Sequence, residues 1–270
     1  MFDPLPADLA AAIDAARDRL GPFARLHYKA LVDSTNTIAM TLAAAGEPEG
    51  TSVLADEQHR GRGRLGRDWF SPSGSGIYLS TIVRPRGPVR VVPLITLAAG
   101  VAAARAIHGA TGLPVELKWP NDLVIGRPWR KVGGVLCETA GTVIDAVVVG
   151  IGINLRATAY PASIAHRASS IETELGRPLE RADLVVGLLA ELYLVAEDMH
   201  AGAYDAVLDA WRTFAGAGLG GRVVRWSDPL GEHRGRARDI DSDGALLVDA
   251  GGRAERIVAG EVVWEGLSRE

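Results

Sequence analysis

Residues Gly61 to Gly66 read GRGRLG, a letter-for-letter match to the dinucleotide fingerprint G-x-G-x-x-G, and the segment directly after them constrains the fold more than the match does. A dinucleotide loop works because a helix starts behind it and aims free amides and a positive dipole end at the pyrophosphate. Here the next residues, RDWFSPSGSGIYLS, hold Pro72, serines and glycines and then become a strand rich in β-branched and aromatic side chains. No helix is expected to begin. The acidic residue required about 20 positions on is replaced by IVRPRGPVR, and no G-K-[ST] comes after the loop. A dinucleotide-binding loop and a P-loop are both excluded. The remaining possibility is a glycine loop carrying Arg60, Arg62, Arg64 and Arg67. Glycines let backbone approach a ligand closely, and arginines at this spacing can converge on one polyanion through bidentate contacts. Four cations so close together repel one another, so the loop is expected to order when an anion arrives. Trp69 beside it offers an aromatic face that suits a nucleobase. A solvated, flexible surface loop is the plainer alternative.

On either side of this loop the chain alternates between helical and strand patterns. A helix is expected over residues 4–20, stopped by Gly21-Pro22. A short strand at HYKALV precedes Asp33-Ser34-Thr35, which are cap candidates for a helix ending at Gly46. Strands are expected at 51–58 and 76–84, and an alanine-rich helix at 91–110. The short strands VELKW, DLVI, GGVLCET and DAVVVGIGIN come next, then helices at 182–200 and 203–214. The glycine cluster AGAGLGG at 215–221 is the best domain boundary, giving a larger unit 1–217 and a small all-β unit 218–270.

Net charge is 29 − 33 = −4, so any anion site must be local rather than a property of the whole surface. A single cysteine, Cys137, excludes an internal disulfide, and in GVLCET it reads as core. The N-terminus lacks a basic and then apolar leader pattern. No apolar run is expected to reach the roughly 20 residues of a membrane span, and a cytoplasmic protein is expected. Of the 29 basic residues 26 are Arg; the lysines are Lys29, Lys118 and Lys131. In so arginine-rich a chain, a retained lysine marks a place where a compact ammonium is needed.

Two of those lysines fall in turns that look chemical. KWPND (118–122) puts Lys118, Asn121 and Asp122 on a tight turn, where Asp122 could take a Mg²⁺ bound mostly through phosphates. KVGGVLCE (131–138) puts Lys131 at the mouth of a strand beside Gly133 and Gly134; glycines weaken a strand unless something must lie against it. GIGINL (150–155) ends an apolar strand in Asn154, and DSTN (33–36) offers hydroxyls and an amide at a helix start. Each alone has a structural explanation. Metalloprotease, cysteine-ligand and serine-hydrolase spacings are missing.

Taken in order, STN, EQHRGRGRLGRDW, KWPND, KVGGVLCE, GIGINL and a small C-terminal β unit closely resemble the biotin protein ligases. The resemblance runs from about residue 27 to the end. It implies an α+β fold similar to class II aminoacyl-tRNA synthetases, with a mixed sheet flanked by helices, followed by an SH3-like small barrel. It implies activation of biotin by ATP and Mg²⁺ to biotinyl-5′-AMP, then transfer to one lysine of a biotin carboxyl carrier domain. It assigns Ser34, Thr35, Asn36, Gln58, Gly61, Arg62, Gly63, Arg64, Lys131 and Gly134 to biotin. Arg64, Arg67, Trp69, Asn121 and Asn154 go to ATP, and Asp122 to the metal. Arg62, Lys131 and Asp122 are the expected catalytic residues, Asp122 also as a carboxylate that could help neutralise the attacking amine. Only 33 residues precede Ser34, so no sequence-specific DNA binding is expected, and an exposed edge of the sheet is able to pair two chains as a homodimer. A lipoate ligase would share the fold and the adenylate logic, but the polar triplet and arginine loop argue against it. A nucleic-acid-binding module is opposed by the net charge.

Overall fold

In the computed structural model, residues 1–139, 144–229 and 231–267 are described. The central sheet has seven strands: β1 (Leu26–Val32), β2 (Ser52–Gln58), β3 (Gly76–Val83), β4 (Glu116–Lys118), β5 (Asp122–Ile125), β6 (Arg130–Thr139) and β7 (Val147–Asn154). Their spatial order is β1-β2-β3-β7-β6-β5-β4. Only β1 and β2 run parallel; every other neighbouring pair is antiparallel. The expected mixed sheet flanked by helices is what the chain forms.

Alternation along β3 sends its side chains to two different layers. Ile77 and Leu79 enter the main core, while Ile82 joins a smaller cluster with Ala39, Ala43, Val53 and Val148. The helices, in chain order, are α1 (Ala7–Ala15), α2 (Arg17–Leu20), α3 (Thr35–Ala44), α4 (Val92–Thr111), α5 (Ala162–Ala165), α6 (Ile171–Leu175), α7 (Arg181–His200), α8 (Tyr204–Phe214) and α9 (Gly216–Leu219). Helix α3 covers one face of the sheet; α4 and α7, packed on each other, cover the opposite face. Neither α4 nor α7 has a side-chain N-cap bond, so burial holds them in place. Side chains such as Leu94, Ile107 and Leu188 each contribute about 2 kcal/mol when withdrawn from water.

Three details depart from the sequence pattern. The first helix breaks at Ala16 (φ −102°, ψ 4°) into α1 and α2 instead of running through residues 4–20. Helices α5 and α6 occupy a stretch to which the pattern assigned nothing. Ser170, whose hydroxyl accepts from the Thr173 N–H, and left-handed Gly176 bound α6 and were its readable signal. Helix α4 is 20 residues long and apolar enough to cross a bilayer, against the expectation of no such run. Two thirds of it is packed inside the protein, which accounts for its composition.

The C-terminal unit is a five-stranded antiparallel sheet in the order β11-β10-β9-β8-β12, formed by β8 (Val223–Asp228), β9 (Gly231–Ile240), β10 (Leu246–Ala250), β11 (Arg253–Ile257) and β12 (Val262–Trp264). It is joined closely to the larger unit. Trp119 Nε1 donates to the Gly244 carbonyl at 2.9 Å, and Trp129 meets Trp264 edge-on with ring centroids 6.0 Å apart. The glycine cluster is no open linker, because α9 turns within it and Gly218 packs against both of those tryptophans.

Candidate active site

The register of the sheet lays out the floor of a cleft. Gly150 stands opposite Ser80 and Leu136, and Gly152 opposite Tyr78 and Gly134. A Cβ on Gly150 would collide with the Asn36 amide, and one on Gly152 would lie 2.5 Å from the Trp69 ring. These strand glycines are therefore spaces filled by side chains arriving from α3 and from the arginine loop.

At one end of the cleft the groups are polar and neutral. Ser34 is the N-cap of α3 in extended backbone (φ −159°, ψ 133°), yet its side chain makes no cap bond. Its hydroxyl lines the cleft although the residue is buried, so the plain-cap explanation fails. Thr35 donates through its N–H to Gln58 Oε1 at 2.9 Å, and its hydroxyl lies 3.1 Å from the same oxygen. Asn36 Nδ2 donates to Glu138 Oε2 at 2.7 Å and to the Leu136 carbonyl at 3.3 Å. The Ser80 hydroxyl lies 2.7 Å from Thr35 Oγ1 and 2.6 Å from Asn36 Oδ1, and Gln58 Nε2 donates to Ser71 Oγ at 3.0 Å. A buried network this complete rigidifies the residues it joins.

The arginine loop closes on itself. Trp69 N–H donates to the Gly61 carbonyl at 2.8 Å, and Gly63 N–H to the Arg67 carbonyl at 2.7 Å. Gly61 must be glycine, since a Cβ would meet Ser71 Oγ at 2.6 Å. At the tip, Leu65 sits in the left-handed region (φ 57°), uncommon outside glycine. Three of the arginines are paired. Arg62 donates to Thr37 Oγ1 at 2.8 Å and to Glu138 Oε2 at 2.9 Å, turned toward α3. Arg64 reaches Asn121 Oδ1 at 3.3 Å and the Gly260 carbonyl at 3.4 Å. Arg67 pairs with Glu261, so the C-terminal sheet supplies part of the wall.

The other end is charged. Lys131, near the start of β6, is bonded to Asp122, which opens β5 and stands opposite Gly134. Burial opposes ionisation of Asp122, but Lys131, Lys118 and Arg64 outweigh it and hold the carboxyl below its ordinary value of 3.8. Burial also pushes the Lys118 ammonium downward, against the pull of Asp122. Lys131 Nζ lies 5.3 Å from the centre of the Trp69 ring. Asn121 Nδ2 donates to the Val135 carbonyl at 2.8 Å, and Asn154 Nδ2 to the Ser169 carbonyl at 2.9 Å, so both asparagines brace the backbone of the cleft. Of the three lysines, Lys118 and Lys131 line the cleft, while Lys29 pairs with Asp3. Burial pushes the Cys137 thiol up to about 11, which makes it an unreactive neutral thiol.

The expected site residues thus converge on a single cleft of about 570 Å³, of the size that holds small-molecule ligands. Gly61 supports the loop beside it. Sequence reasoning missed Ser80, Thr37, Glu138 and Glu261. Glu138 lies inside KVGGVLCE and was within reach; nothing in the sequence ties Glu261 to Arg67. Among the described residues no group of three or more His, Cys, Asp or Glu is placed to hold a metal, and Asp122 is flanked by lysines.

This chain matches the model of the biotin/lipoate A/B protein ligase family over residues 28–154 and that of the biotin protein ligase C-terminal domain over 220–264. It is 32% identical over 242 residues to the bifunctional ligase/repressor BirA of Bacillus spizizenii, covering 88% of this chain and 73% of that one. It is 34% identical over 247 residues to the biotin–[acetyl-CoA-carboxylase] ligase of Mycobacterium tuberculosis, covering 88% of each. The chain belongs to the biotin protein ligase family. As a biotin protein ligase it is an enzyme, and its structure superposes on that of the biotin protein ligase from Aquifex aeolicus in complex with biotin and ATP. That match has a TM-score of 0.78 at 27% identity and covers 90% of this chain and 99% of the other.

Proposed function

We propose that this ligase activates biotin with ATP to biotinyl-5′-AMP and passes the biotin to the lysine of a biotin carboxyl carrier domain, in the cytoplasm. One observation carries the reading. A rigid, neutral polar pocket end, with the Ser34 hydroxyl open, shares one cleft with a cluster of cations beside Trp69. That layout suits a substrate with an uncharged hydrogen-bonding head and a carboxylate, set against a nucleotide.

Ser34 offers its hydroxyl to the head group, while Thr35, Asn36 and Gln58 hold that end in shape. Gly134 lets the ligand lie on the sheet beside Lys131, while Gly152 makes room for the Trp69 ring. In the first step a carboxylate oxygen attacks the α-phosphorus, and the bond to the β-phosphate breaks with its electron pair leaving on pyrophosphate. Two anions must approach, so fixed cations are needed around the reacting centre. Lys131 supplies one. Arg62 supplies another once it turns from Glu138, with Gly61 and Gly63 leaving room for the loop to close. Arg64, Arg67, Trp69, Asn121 and Asn154 frame the nucleotide. Asp122, held ionised, is a weak proton acceptor, so it orients the Lys131 ammonium rather than serving as base. One carboxylate between lysines does not make a resident Mg²⁺ site; Mg²⁺ would enter as the MgATP substrate, and Asp122 is the carboxylate this reading offers it.

The chain then divides into a catalytic unit, 1–217, and a C-terminal unit, 218–270. Sequence-specific DNA binding is no part of this reading; α1 packs Leu9 and Ile13 into the core. The test is pyrophosphate release from MgATP with biotin, with lipoate and with neither acid, and after it transfer to a purified carrier domain. Release with biotin alone is expected. Release with lipoate alone overturns the choice of acid, and release with neither overturns the adenylation step.

A further inference from the structure

Lys131 opens a short strand pairing outside the named sheet. Its N–H donates to the Arg167 carbonyl at 2.7 Å, Ser169 N–H donates to the Lys131 carbonyl at 2.9 Å, and Lys131 and Ala168 form a parallel bridge. The segment after α5 is thereby pinned one residue from the catalytic lysine, and Arg167 stands exposed on the rim of the cleft. The other cations of the cleft are occupied: Arg62 by Glu138, Arg64 by Asn121, Arg67 by Glu261, Lys131 by Asp122 and Arg225 by Glu265. Among the described residues, Arg167 and Lys118 have no hydrogen bond or ion pair through their side chains. Both line the same cleft, the Arg167 backbone is bonded to Lys131, and the charge of Arg167 reaches Lys118, though it bears on that ammonium less than burial, Asp122, Lys131 or Glu261 do. Two unpaired cations held within electrostatic reach repel each other. An anion bound between them removes that cost and gains from both.

We propose that Arg167, together with Lys118, holds the β- and γ-phosphates of ATP and stabilises them as they leave as pyrophosphate. This rests on the adenylation reading above. The division of labour comes from position: Lys131, paired with Asp122, serves the carboxylate and α-phosphate, and the two open cations beside it serve the leaving group. Charge develops on the bridging oxygen as the α–β bond breaks, and cations already in place there lower the barrier. A planar guanidinium can also bind two phosphate oxygens at once.

The test uses the full chain and pyrophosphate itself as the probe. Reverse adenylation, biotinyl-5′-AMP plus pyrophosphate to ATP, is measured for wild type, Arg167→Ala and Arg167→Lys, beside transfer from preformed biotinyl-5′-AMP to a carrier domain. Arg167→Ala is expected to raise the KM for pyrophosphate, and for ATP in the forward direction, about tenfold. Arg167→Lys is expected to recover much of that loss. Transfer is expected to keep its wild-type rate, because the adenylate carries no β- or γ-phosphate. The side chain makes no internal bond, so the variant should fold, and its melting temperature checks this. An unchanged pyrophosphate KM in Arg167→Ala, or an equal loss in the transfer step, overturns the assignment alone. A wild-type protein that forms no pyrophosphate from any acid overturns the adenylation reading and this assignment with it.

Discussion

The two ends of the cleft solve recognition in opposite ways. At the neutral end the side chains are buried and already satisfied: both Nδ2 protons of Asn36 are spent on Glu138 and Leu136, and Gln58 is fixed between Thr35 and Ser71. Ser34 alone of the triplet keeps its hydroxyl open to the cleft. At the charged end the cations are more exposed and unevenly used, with Lys131 locked to Asp122 while Lys118 and Arg167 stand open. A neutral head group offers little binding energy per contact, so its site has to be rigid in advance and lose little entropy on binding. A polyphosphate brings its own charge, so its site can leave cations spare, at a cost the ligand then relieves.

Four measurements break or sharpen that contrast. The largest effect is expected for Lys131→Ala, which removes a cation from the proposed reacting centre and leaves Asp122 without its closest partner. Pyrophosphate release should fall about 10²- to 10³-fold, and a drop below tenfold would place the reacting centre elsewhere in the cleft. At the neutral end, Asn36→Ala strips Glu138 and Ser80 of a buried partner. It should cost about 1–3 kcal/mol of stability, read as a lowered denaturant midpoint in the ligand-free protein. An unchanged midpoint would mean that the network is not preorganised. The third measurement is acid unfolding of wild type and Asp122→Asn. Because the folded pKa of Asp122 lies below 3.8, its pairing stabilises the protein above that value, and the contribution is lost as pH falls through the folded pKa. Wild type should shed an increment of stability below about pH 3.8 that the variant lacks. The smallest effect belongs to Arg67→Ala, an exposed pair with Glu261 worth less than about 1 kcal/mol to folding. A larger loss would show that the C-terminal sheet depends on that contact.

Much of the site was legible because its residues sit where chain geometry is local. Lys118, Asn121 and Asp122 share one turn, and the strand glycines Gly133 and Gly134 of KVGGVLCE announced that something must lie on the sheet. Glu138 was readable in type, as the last residue of KVGGVLCE, but not in role. Its pairing with Arg62 spans 76 residues and depends on which way the loop turns. Glu261 and Arg167 were not legible. One arrives from a separate sheet, the other on a segment whose pairing with Lys131 has no periodic signal. Ser34 has the extended backbone of a plain cap, and only its missing cap bond and its place in the lining of the cleft show a hydroxyl left for a ligand.

The sequence by itself determined the kinds of element, the absence of a dinucleotide loop, the convergence of polar and cationic motifs, and the family. Those come from local propensity, from spacing within a strand or turn, and from motif order. Tertiary structure decided which cations are spent and which are open, that Asn36 and Trp69 fill the spaces over Gly150 and Gly152, and that the C-terminal sheet touches the arginine loop. Each of these depends on distances between segments far apart in the chain. Sheet register and core packing set such distances, and no local rule of sequence encodes them.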